Sequence, residues 1–180
     1  MISIKELKKD NLDEFFQYLT IHLSENGQNN TALFQPLSKQ QSILSNEWKS
    51  KFVDGFNKKD KDLGWRKIWA ATNEVNKIVG HIDIRSYEQL NAEHRVLLGM
   101  GVESSFRNLK IGQKLLEFII AYCRNNPKII WLDLQVLANN IPAISLYKKM
   151  DFQQLGIIQD MFRIDGFHYN YCYMTLQVGN

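Results

Sequence analysis

Cysteine is scarce in this chain. Among 180 residues there are two, Cys123 and Cys172, and neither belongs to a C-x-x-C pair. That removes a thiolate zinc site and a thioredoxin-like redox pair from consideration. Histidine is equally thin: His22, His81, His94 and His168 are dispersed, with no H-E-x-x-H or similar spacing. No metal is therefore expected. Long apolar runs are missing too. The densest stretch, around Val96-Leu97-Leu98, falls far short of the roughly 18 residues that a membrane helix needs. The opening Met1-Ile2-Ser3-Ile4-Lys5 has no apolar signal region, so a cytoplasmic protein with reduced thiols and no membrane partner is the expectation. Two phosphate-binding fingerprints are absent, since no G-K-[ST] and no G-x-G-x-x-G occurs. The charge excess is only +3. Lys58, Lys59 and Lys61 alternate with Asp60 and Asp62, which suits a solvated loop and argues against a nucleic-acid partner.

What remains is an ordinary globular composition, 44% apolar and 23% charged. The length suits one domain spanning residues 1–180. Residues 2–7 alternate as a short strand. Asp10 or Asn11 then precedes Leu12, Phe15, Phe16, Leu19 and Leu23, which share one helical face. Residues 24–31 are polar and read as a loop. Ser38 opens a second amphipathic segment with Ile43, Leu44, Trp48 and Phe52. The period then shortens. Residues 67–72 and 77–87 read as two strands joined at Asn73-Glu74, and 95–102 as a buried central strand. A helix is predicted from Ile111 to about Arg124, ended by Asn125-Asn126-Pro127. A strand at 129–136, a helix at 141–150 and strands at 152–158 and 169–178 complete the order. The fold class is α/β: a mixed, mostly antiparallel twisted sheet with a parallel strand pair at its centre and helices on both faces.

Two stretches carry chemistry. In the first, a buried strand ends at Gly101-Val102 and a turn delivers Phe106-Arg107-Asn108-Leu109-Lys110-Ile111-Gly112 directly into a helix. Unpaired amides at a helix start attract an anion, Gly112 permits close approach, and Arg107 and Lys110 add positive charge. A diphosphate fits such a turn, although ordinary strand–helix connections look similar. The second runs from Asn139 to Phe152. Asn139 or Asn140 can cap its helix, Pro142 suits the first turn, and Ala143 leaves space beside Tyr147 one turn later. Tyr147 reads either as a ligand-facing phenol or as a core tyrosine tied to a carbonyl.

Together the stretches resemble the GNAT superfamily of acyl-CoA N-acyltransferases. Its [QR]-x-x-G-x-[GA] pattern is matched by Arg107-Asn108-Leu109-Lys110-Ile111-Gly112. Its N-x-x-A-x-x-L-Y-x-x-x-G-F run is matched from Asn140 through Ala143 and Tyr147 to Asp151-Phe152. The likeness is detailed over residues 96–153. More loosely, Met161 to Gly166 looks like bacterial members acting on amino acids and small amines. Two positions depart from the pattern. Lys110 replaces the first glycine, which is harmless in right-handed geometry and costly for cofactor affinity in left-handed geometry. Asp151 replaces the glycine before Phe152, where a left-handed residue is common and Asp tolerates it.

The resemblance implies that acetyl-CoA lies between splayed central strands. Backbone of Met100 and Val102 would pair with its pantetheine arm. Amides of Leu109, Lys110, Ile111, Gly112 and Gln113 would hold the pyrophosphate, with Arg107 and Asn108 in the same turn. Asn140 would bond the arm and Ala143 would make room for it. A backbone N–H near the end of the central strand would stabilise the oxyanion, and Tyr147 would give a proton to the leaving thiolate. Transfer would be direct, leaving both cysteines as packing residues. Glu93, His94, Glu103 and Asp83 are candidate bases, with none singled out. Phe34, Phe162 and Tyr169 are candidates for shaping the acceptor pocket. The expected acceptor is a small-molecule or amino-acid amine. A protein N-terminus or lysine is the alternative acceptor, and a non-catalytic acyl-CoA sensor is the alternative from another class. A homodimer is compatible with the resemblance.

Overall fold

The computed structural model describes residues 1–28, 32–60 and 62–180. Part of the loop expected at 24–31, and Lys61 of the charged tract, lie outside the described residues. Among the described residues seven strands form one sheet: β1 Ser3–Glu6, β2 Arg66–Thr72, β3 Ile78–Ser86, β4 Arg95–Val102, β5 Trp131–Leu137, β6 Gln153–Ile164 and β7 Phe167–Gln177, in the spatial order β1-β2-β3-β4-β5-β7-β6. Every pairing is antiparallel except β4 with β5. Among the described residues the α-helices are α1 Leu12–Ser24, α2 Asn46–Asn57, α3 Ile111–Arg124 and α4 Ile141–Lys149.

Alternation along the strands divides the core in two. On one face, Ile82, Ile84, Val96, Leu98, Leu132 and Leu134 pack against Leu115, Leu116 and Ile119 of α3 and Tyr147 of α4. On the other, Ile68 and Ala70 pack against Phe15, Leu19 and Leu23 of α1, with Phe52 and Phe56 of α2 beside them. The helices on this second face cover β2 and β3. The same face of β4, β5 and β7 carries polar side chains, including Arg95, Asp133 and Thr175.

Several boundaries differ from the expectations, each for a local reason. The second amphipathic segment turns helical only at Asn46, because Ser45 is the residue whose side chain accepts from the Trp48 amide. Ile43 is left 66% exposed, while Leu44 is buried from a turn. The last hairpin is longer than the 152–158 and 169–178 runs suggest. Asp165 and Gly166, with φ of 50° and 83°, form a tight turn that carries both strands further. β6 alternates poorly because its register shifts between Gln154 and Gly156 and again between Ile158 and Phe162.

Candidate active site

The parallel contact between β4 and β5 is short. Pairing covers Arg95↔Trp131, Val96↔Leu132 and Leu97↔Asp133 and then stops, although both strands continue. Beyond it β5 pairs only with β7 and β4 only with β3. The Glu103 amide bonds Val79 of β3, so alternation turns the amides of Met100 and Val102, past the last parallel pair, toward the opening. The Val102 carbonyl there accepts from Arg107 Nε at 3.1 Å. Strand edges without partners, inside a sheet, are open to an extended ligand.

The turn after β4 is built by a carboxylate that sequence reasoning missed. Glu25, at the end of α1, accepts from the Ser104 amide at 3.0 Å and from Arg107 Nη2 at 3.2 Å. Burial raises the Glu25 pKa. The nearby His22 ring, whose Nδ1 stands 3.8 Å away, the Ser104 hydroxyl and amide, and the charge of Arg107 outweigh that and bring it to about 2. Arg107 also lies over the Phe34 ring, 5.6 Å from its centroid. The guanidinium is thus occupied in fixing the turn. Asn108 and Lys110 are both left-handed, at φ 62° and 61°, and Lys110 caps α3. Of the two cases for Lys110, the structure therefore has the one that favours glycine. The first main-chain bond of α3 runs from Lys114 N–H to the Lys110 carbonyl, leaving the amides of Ile111, Gly112 and Gln113 unpaired. A Cβ on Gly112 would stand 3.2 Å from Leu146 and 3.7 Å from Met100, so the glycine keeps this approach shallow and open. Leu109 projects outward, 59% exposed.

Across the opening, Asn140 caps α4 by accepting the Ala143 amide at 3.4 Å. Asp151 is left-handed at φ 65°, as expected for its position. Tyr147 is buried beside Phe152 at 5.8 Å between ring centroids. Its hydroxyl is tied to no carbonyl among the described residues and is not sealed from solvent, while its ring is part of the core on this face. Burial, helped by Tyr171, pushes its pKa up to about 12.

The helix-free face around the opening is polar and aromatic. Gly99 and Gly101 leave β4 bare there. A Cβ on Gly99 would collide with Asp83 Oδ2, and one on Gly101 with His22 Nε2. A buried set of rings, Tyr18, His22 and His81, fills the space beside Gly101, and Phe34 stacks on His22 at 4.4 Å. Tyr18 donates to the Gly101 carbonyl at 3.1 Å, so His81 Nδ1, at 3.0 Å, is the donor to the same hydroxyl. Phe162 meets Tyr171 edge-on at 5.0 Å, whereas Tyr169 is its strand partner further out on the hairpin. A cavity of about 330 Å³ lies on this face between Tyr87, Arg95, Asp133, Gln135, Leu155 and Tyr173.

The candidate bases separate by position. Glu93 and His94 are exposed before β4 begins, at the end where the strands are still joined. Glu103 is buried past the end of β4 and bonds Lys77 at 2.9 Å. Asp83 alone of the four sits beside the opening, opposite Gly99. Both cysteines are buried and free. Among the described residues no group of three His, Cys, Asp or Glu could hold a metal ion, and no helix is long and apolar enough to cross a membrane.

A family model described as "Acetyltransferase (GNAT) family" matches residues 37–152. L-amino acid N-acetyltransferase AaaT of Escherichia coli (strain K12) is 30% identical over 79 residues, 44% of this chain and 49% of the relative. The chain thus aligns with about half the length of that relative. Among solved structures, a GNAT-family acetyltransferase from Streptococcus pneumoniae superimposes with a TM-score of 0.80 at 21% identity, covering 98% of this chain and 99% of the other. That of yncA from Salmonella typhimurium, solved with its cofactor acetyl-CoA, gives 0.76 at 12% identity, covering 100% and 95%. These two likenesses speak for the fold.

Proposed function

The chain belongs to the GNAT acetyltransferase family, and from that premise we propose that it moves an acetyl group from acetyl-CoA directly to a primary amine of a small molecule. The carrying observation is the gap between β4 and β5, with unpaired amides at Met100 and Val102 on one side and the Tyr147 hydroxyl available on the other. The names of the relatives agree with it: AaaT acts on L-amino acids, and yncA was solved with acetyl-CoA.

The donor supplies an acyl group already activated as a thioester. The chain's own residues do the rest. The edges of Met100 and Val102 offer amides to an extended arm, and the Met100 carbonyl accepts; the Val102 carbonyl is held by Arg107. Unpaired amides of Ile111, Gly112 and Gln113 face the diphosphate, with the α3 dipole behind them. Leu109 and Lys110 set the shape of that turn, and Lys110 adds a positive charge at its rim. Arg107 and Asn108 hold the turn's geometry. Asn140 has its carbonyl oxygen on the Ala143 amide, so its NH₂ is free to donate, and Ala143 keeps the approach to Tyr147 clear. Tyr147 remains protonated far above neutral pH and so can give its proton to the departing thiolate.

Thermal unfolding with acetyl-CoA tests the reading, with ATP and NAD as controls. Ligand at 100 times its dissociation constant adds about 2.7 kcal/mol to the native state. A shift with acetyl-CoA alone, followed by CoA release when amines are added, is the expected result. No shift at millimolar acetyl-CoA overturns it.

A further inference from the structure

One cluster on the acceptor face carries more charge than its own groups neutralise. Asp83 stands on β3 opposite Gly99, and Arg85, two residues on, stands on the same face opposite Leu97. Asp83 Oδ1 receives two guanidinium groups, Arg85 Nη1 at 3.4 Å and Arg66 Nη1 at 3.5 Å. The Asp83 and Arg66 side chains are only 4% and 14% exposed, and Arg66 lies on the Phe52 ring at 4.0 Å. Two cations on one carboxylate leave an excess positive charge in a half-buried place, which favours a further anion.

The neighbouring acid does not supply it. Asp133 takes Arg95 through both oxygens, at 2.8 and 2.6 Å, and also accepts from Tyr87 and Thr175. Arg95 is equally committed, to Asp133, to Thr175 and to the Trp131 ring at 5.0 Å. Arg107 is held by Glu25 and the Val102 carbonyl. Arg85 is different. Among the described residues its only hydrogen bond is the long one to Asp83, and its side chain is 33% exposed. Its charge reaches the phenols of Tyr87 and Tyr171, which burial pushes upward and Arg85 draws back.

Its distance from the opening limits the ligand. Arg85 Nη1 would be 3.5 Å from a Cβ on Gly99, the residue of β4 just beyond the last pairing with β5. An anion on Arg85 therefore lies close to an amine held at the gap. A short separation suits an α-amino acid, and a long one, as in a lysine side chain presented by a protein, does not.

We propose that Arg85 is the specificity residue of the acceptor site and binds the α-carboxylate of a free amino acid whose α-amine is acetylated. This rests on the acetyl-transfer reading above. The test uses the full chain, acetyl-CoA, and the common L-amino acids, each beside its C-terminal amide, with CoA release as the readout. The acids should exceed their amides in kcat/KM by about 10- to 100-fold, the value of a charge-assisted hydrogen bond. Arg85→Met should bring that ratio close to one by raising KM for the acids, with the amides and the KM for acetyl-CoA unchanged. The unchanged values also certify that the variant is folded. Wild-type protein that acetylates amides as readily as acids overturns the proposal and leaves the acetyl-transfer reading intact, as does an acid preference that survives Arg85→Met. No CoA release from either series overturns both.

Discussion

Arg107 Nη2 stands 3.2 Å from Glu25 Oε2, which ties the turn after the central strand to the end of α1. The same carboxylate accepts the Ser104 amide and hydroxyl. Glu25→Gln keeps the shape and removes the charge. It should cost about 1–3 kcal/mol in unfolding free energy at neutral pH and weaken acetyl-CoA binding, because the turn presenting the α3 amides loses its anchor. The folded pKa lies near 2, below the ordinary 4.5. The stabilisation is therefore complete above the ordinary value and disappears as acid takes the pH down toward 2. Urea unfolding across that window should bring the two proteins together at the acid end. A constant difference would contradict this role.

His81 makes a pH prediction of the same sign from a different cause. Burial, then the neighbouring His22 and Arg66, lower its pKa from 6.5 to about 3, with Asp83 opposing. Between those values the unfolded chain binds a proton that the folded chain refuses, so stability falls as pH drops below 6.5. The slope from one such group reaches about 1.4 kcal/mol per pH unit. His81→Gln should flatten the dependence of unfolding free energy on pH in this range relative to wild type. An identical slope in both would mean that His81 is not a buried neutral group.

The fold was legible in the sequence to the extent that periodicity and caps wrote it there. The helix from Ile111, the central strand at 95–102 and the cap at Asn140 follow from apolar spacing and from residue types that suit those positions. Less of the site was legible. Arg85 and Glu25 look like ordinary surface charges along the chain, and Asp83 is one of four candidate bases that the sequence does not separate; only strand register and the close of α1 bring the three to the opening. A signal was present in Gly99-Met100-Gly101: two glycines in an otherwise apolar strand mark a place where other groups press on the backbone. The last hairpin was cut short for a similar reason, since its bulges break the alternation that marks a strand while Asp165-Gly166 marks the turn.

Lys110 keeps a left-handed backbone at φ 61° without being glycine. Lys110→Gly removes the clash between Cβ and carbonyl that this conformation imposes, and pays back part of the gain as freedom in the unfolded chain. A net stabilisation of about 0.5–1 kcal/mol is expected, read as a higher urea midpoint with an unchanged m-value. A lower midpoint would show that the ammonium group contributes more to the free protein than the strain costs.

Tyr147 decides between an enzyme and a protein that only binds acyl-CoA. Its hydroxyl has no partner among the described residues, so Tyr147→Phe strands no buried donor or acceptor and should leave stability nearly unchanged. If the phenol protonates the leaving thiolate, the loss falls on a step after binding. Turnover should drop about 100-fold or more, while the dissociation constant for acetyl-CoA stays the same. With a pKa near 12 the group is protonated over the whole working range, so its removal should lower the pH–rate profile without moving the acid limb. Equal turnover in the variant would take Tyr147 out of the chemistry. Equal loss of binding and turnover would make it a wall of the acyl-CoA site instead of a proton donor, because a donor used only as the bond breaks has no effect on the ground state.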